Sequence, residues 1–174
     1  MDMKVNGKTT VKSAPWLLLL PLVLLLAAAA APDEKSVSIP GVGPCVEVRT
    51  QHFLITTNVG GEERQKVTEG AERTYRFFVE MISPHKKLEE PPQLYRMFFF
   101  DTRKQLADYC QLNKITLYSP MGFYHPGKKI GYFTRSPFGL LSIVYHEIVH
   151  QMEYNMPGMT IEFIKKRREA CTWT

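Results

Sequence analysis

The chain has 174 residues, 44% of them apolar and 11% aromatic, and a net charge of +5. Those values fit one globular domain with its own core and exclude a disordered or collagen-like chain. Residues 1–31 hold three lysines and one aspartate, so the rest carries only +3, too weak an excess to imply a nucleic-acid partner.

Residues 1–31 read as an export signal. Lys4, Lys8 and Lys12 precede the apolar run "WLLLLPLVLLL" (16–26), which passes into five alanines. A positive n-region, an apolar h-region and a small-residue stretch are the parts of a signal peptide. The alternative is an N-terminal anchor with membrane association through residues 16–31, a run of 16 residues where a span takes about 20. On either reading the remainder is exported, to a periplasmic, extracellular or membrane-anchored location. Cys45, Cys110 and Cys171 are an odd set of thiols for an oxidising compartment, and no Cys-x-x-Cys spacing occurs. Any metal ligands are therefore expected to be mostly nitrogen and oxygen.

The segment 32–44, "PDEKSVSIPGVGP", is polar and punctuated by Pro and Gly, and reads as a linker or irregular arm. "CVEVRTQHFLITTN" (45–58) has the β-branched and aromatic content of a strand centred on Phe53–Thr57. In 62–82, Val67, Ala71, Tyr75, Phe78 and Ile82 recur every three or four residues, which predicts an amphipathic helix, with Gly70 a small cost in propensity. "LYRMFFFD" (94–101) suits a buried strand, and Asp101 or Thr102 can cap a helix through "RKQLADYCQL". "GFYHPGKKIGYFTR" (122–135) reads as two short strands about a Pro-Gly turn. "SPFGLLSIVYHEIVHQMEY" (136–154) follows as a helix capped by Ser136 and Pro137, apolar on nearly every face and hence buried. Pro157-Gly158 stops it, and a last helix restarts over 159–171. The order is β-α-β-α-ββ-α-α.

The chemistry-bearing stretch is "VYHEIVHQMEYN" (144–155). Residues four apart lie on one helix face about one turn apart, so His146 and His150 can direct two imidazoles at one ion. Glu147, about 100° round the axis from His146, flanks that ion and is placed to take a proton from water. Zinc lowers the pKa of such a water to about 7, which gives each residue of the H-E-x-x-H pattern a role. Two satisfied core histidines are the bland alternative. His52 and His85 show no partner signal and read as bystanders.

"YHEIVHQ", preceded by "GFYHPGKKIGYFTR", is similar to the zincin superfamily of metallopeptidases. Over about residues 50–156 the layout resembles an uncharacterised gluzincin-like family of exported bacterial peptidases. The resemblance implies an α+β, zincin-like fold: a small mixed sheet packed on helices, with a buried H-E-x-x-H helix. It makes 45–174 a metallopeptidase domain, incomplete at its C-terminus. It implies Zn2+ as cofactor, a peptide or protein substrate laid antiparallel along the 122–135 edge, and hydrolysis with Glu147 as general base.

The metzincin branch is excluded, because Glu153 and Met156 stand where it has glycine and histidine. Gluzincins draw a third ligand from a glutamate on the following helix. In the aminopeptidase members 18 residues intervene, and here that count leads from His150 to Glu169. The order of candidates is Glu169, then Glu162, then Glu153. Tyr124, His125 and Tyr145 are the polar groups available to an oxyanion. Two other readings stand beside the peptidase: a catalytically inactive or truncated zincin-like module that binds zinc or protein, and a structural domain with incidental histidines.

Overall fold

The structure is a computed structural model that describes residues 33–135, 142–160 and 162–166. All of these belong to one compact unit, 32–174, and the expected signal or anchor lies outside them. The unit is α+β. Its described residues form six strands, β1 (Asp33–Ile39), β2 (Gly43–Arg49), β3 (Phe53–Thr57), β4 (Tyr95–Phe100), β5 (Gly122–His125) and β6 (Ile130–Thr134). Three helices, α1 (Gly61–Ile82), α2 (Arg103–Leu112) and α3 (Ser142–Asn155), complete the order, and 162–166 are helical as well. Among the described residues no helix is long and apolar enough to cross a membrane.

The sheet is mixed, in the order β1-β2-β3-β4-β6-β5. β3, β4 and β6 run parallel, with Phe53 beside Tyr95 and Arg96 beside Ile130. β5 returns antiparallel to β6 and forms one edge. β4 shows why the sheet is central. Its alternation sends Tyr95, Met97 and Phe99 into a core with α1 and α3, and Phe98 and Phe100 into a second core with α2. A run apolar at nearly every position is what a strand covered on both faces requires.

The periodic helix reading agrees with α1: Val67, Ala71, Tyr75, Phe78 and Ile82 are all buried against β3 and β4. Thr102 is the residue that caps α2. Its hydroxyl accepts from Gln105 N–H at 3.2 Å, and the Gln105 side chain accepts from Thr102 N–H at 3.1 Å. This reciprocal pair satisfies two of the helix's orphan donors.

The N-terminal arm differs from expectation. Residues 32–44, read as a linker, contain β1 and the turn into β2. Pro40 is followed by Gly41 at φ 80°, and Val42 N–H donates to Ile39 C=O at 3.0 Å, the pattern of a type II turn. β1 escapes a hydrophobic-pattern reading because most of its residues are exposed, and backbone pairing to β2 holds it. The single strand expected over 45–58 is two, β2 and β3, broken at Thr50–His52. Of the long helix expected over 136–154, residues 136–141 with the proposed cap lie outside the described residues.

Candidate metal centre

α3 packs through one stripe. Val144, Ile148 and Met152 recur every four residues and are at most 1% exposed, inside the core with α1 and the sheet. This corrects the expectation of a helix buried all round: Ser142, His146 and Tyr154 are exposed, and His150 is half-buried. The histidines lie on the open side, so they do not owe their presence to a need for shelter in the core.

His146 and His150 converge. Their Nε2 atoms stand 3.0 Å apart, with ring planes at 90°. Two nitrogens bound tetrahedrally to zinc at about 2.0–2.1 Å stand about 3.3 Å from each other. The pair therefore fits an ion with a shift of a few tenths of an ångström. Without an ion, the same separation suits one Nε2–H donating to the other Nε2. His150 Nδ1 lies 3.1 Å from a Glu153 carboxylate oxygen.

Glu147 faces β5. Its Oε2 accepts from the Tyr124 N–H at 2.9 Å, which fixes the carboxylate against the edge strand. Tyr124 and Gly131 are partners in the β5–β6 register, and the Tyr124 N–H points to the helix side of that edge.

The three residues considered for an oxyanion separate. The Tyr124 hydroxyl accepts from Asn155 Nδ2 at 2.6 Å, and its ring stacks on Tyr154 at 6.1 Å. Burial pushes its phenol pKa up, against the pull of the Asn155 bond. The Tyr145 hydroxyl is turned to α1, where a Cβ on Gly70 would meet it at 2.9 Å. Gly70 is thus a close-approach position between α1 and α3, beyond the small propensity cost expected of it. His125 ends β5, and its Nδ1 accepts from Lys128 N–H in the following turn at 3.3 Å.

Among the described residues no group of three or more His, Cys, Asp and Glu side chains is gathered for a metal. Glu162 is exposed at the start of the helical segment 162–166, and Glu169, the first choice for third ligand, lies outside the described residues. Two features went unnoticed in the sequence. Gln151, 1% exposed, donates from Nε2 to the Arg96 and Lys129 carbonyls, both at 3.1 Å, and so ties α3 to β4 and to the β5–β6 turn. Its signal was a polar amide on the helix's buried side. His52, read as a bystander, is 6% exposed and bonds Glu72 through Nδ1 at 2.7 Å. Nothing local to "TQHFL" reveals that, because its partner is 20 residues away.

Compared with protein-family models, with curated proteins and with solved structures, the chain matches none.

Proposed function

We propose that the chain is an exported zinc-dependent metallopeptidase of zincin type, with His146 and His150 holding the ion and Glu147 acting as general base. One observation carries the reading: two imidazole Nε2 atoms 3.0 Å apart on the open side of α3, with Glu147 beside them on the same helix. The antiparallel edge strand β5 next to that helix supports a zincin-like arrangement, and Glu169 remains the proposed third ligand. When bound, zinc would acidify water and polarise a substrate carbonyl.

The residues then divide the work. With the ion bound, both imidazoles would present Nε2 lone pairs to it. Glu147, anchored through Oε2 on the Tyr124 N–H, keeps Oε1 to take a proton from water and hand it to the departing amine. β5 is an edge strand, and an extended peptide pairing antiparallel with it would use backbone groups other than the Tyr124 N–H, which Glu147 holds. Gln151 holds α3 in register with the sheet while substrate enters.

The test is metal content and peptide hydrolysis of the full chain. After chelation and return of zinc, the wild type should hold one ion per chain and His150→Ala should hold none. Glu147→Gln should keep zinc and lose about 10²–10⁴ in rate. A wild type without stoichiometric zinc would remove the metal reading. Zinc retained with no hydrolysis in wild type over a broad peptide library would favour the zinc-binding module instead.

A further inference from the structure

We infer that Glu153 is a positioning residue: it fixes the tautomer and ring orientation of His150 so that Nε2 presents a bare lone pair. The inference rests on the proposed metal reading of His146 and His150.

A neutral imidazole carries one N–H, and the partner of one nitrogen decides which nitrogen is bare. A carboxylate oxygen accepts, so Glu153 Oε2 at 3.1 Å favours the hydrogen on His150 Nδ1. Nε2 is then an acceptor, and the 3.0 Å contact to His146 becomes a bond donated by His146 Nε2–H. The contact is sheltered, with the Glu153 side chain 15% exposed and that of His150 28% exposed.

The same geometry argues for a role of Glu153 other than third ligand. Nδ1 and Nε2 lie on different edges of the ring, so a group bonded at Nδ1 stands away from an ion held at Nε2. Glu153 also lies one turn beyond His150, on the side away from His146. A carboxylate bonded to the far nitrogen of a ligating histidine fixes the ring and raises its basicity, and loss of such a group costs about 10–100-fold in metal affinity.

The experiment uses full-length, 15N-labelled protein, first without metal and then titrated with zinc. Two-bond 15N–1H spectra of the imidazoles should show wild-type His150 in the Nδ1–H form and His146 in the Nε2–H form. Glu153→Ala should turn His150 over to a mixture rich in Nε2–H and weaken zinc binding about 10–100-fold. Glu153→Gln, whose amide oxygen still accepts from Nδ1–H, should restore the wild-type tautomer and bring zinc affinity to within about threefold. An Nε2–H form of His150 in the wild type, or an unchanged Glu153→Ala spectrum, would overturn the proposal. So would equal zinc losses for the Ala and Gln variants, which would mark Glu153 as a ligand. If no variant binds zinc, the metal reading fails, while the metal-free spectra still decide whether Glu153 sets the tautomer of His150.

Discussion

His52 and His150 each set Nδ1 on a glutamate, at 2.7 Å from Glu72 and 3.1 Å from Glu153, and differ in almost everything else. His52 is sealed. Its ring stacks on Tyr75 at 3.6 Å, its own N–H donates to Glu72 at 2.8 Å, and its Nε2 faces Glu90 at 3.7 Å. The Thr50 hydroxyl adds a bond to Glu72 at 2.6 Å, so the cluster pins the β2–β3 turn to α1. His150 turns its second nitrogen to another imidazole on an open helix face. A carboxylate on one nitrogen is therefore common to a structural histidine and to one of the proposed metal pair. What the second nitrogen meets separates them: the carboxylate of Glu90, on an exposed loop, for His52, and the imidazole of His146, one turn back on the same helix, for His150.

The comparison breaks most visibly through His52→Ala. It leaves Glu72 half-buried without its imidazole and should cost about 3 kcal/mol of stability in urea denaturation, with zinc uptake unchanged. His146→Ala should do the reverse, abolishing zinc uptake while stability moves by less than about 0.5 kcal/mol. Comparable stability losses in the two variants would erase the distinction.

A smaller effect sharpens it. Burial raises the Glu72 carboxyl pKa, but bonds from the His52 ring, the Thr50 hydroxyl and the His52 N–H outweigh that and leave it lowered overall. A lowered folded pKa makes Glu72 stabilising above its unfolded value of about 4.3, with the contribution lost as pH falls through the folded value. Glu72→Gln should thus lower stability by about 1–3 kcal/mol at neutral pH and flatten the acid limb of the stability profile. Parallel wild-type and variant profiles down the acid limb would contradict this.

The smallest effect belongs to the contact between α1 and α3 at Gly70 and Tyr145. Gly70→Ala should cost about 1 kcal/mol, because overpacking against the Tyr145 hydroxyl exceeds the helix-propensity gain. In a Tyr145→Ala background, which removes both the hydroxyl met at 2.9 Å and the ring carbon met at 3.0 Å, the same change should become neutral or stabilising. An unchanged penalty would mean that the close approach does not limit this position.

Much of the scaffold was legible because its signals are local. The α1 stripe from Val67 to Ile82, the doubly covered β4 and the Thr102 cap follow from period and capping chemistry within a few residues. β1 was not legible, since "DEKSVSI" has no buried face and is held by main-chain bonds to a partner that sequence does not name. The site divided in the same way. Four-residue spacing by itself put His146 and His150 on one helix face and Glu147 at its flank.

Only tertiary packing decided that this face is the open one. Val144, Ile148 and Met152 are drawn against α1 and the sheet, which turns the histidines outward from a helix that sequence alone read as buried throughout. Packing also decided that Glu147 meets the edge of β5 and that Gln151 bridges Arg96 and Lys129. The reason is physical: periodicity belongs to one helix, whereas solvent access and a bonding partner belong to whatever packs beside it.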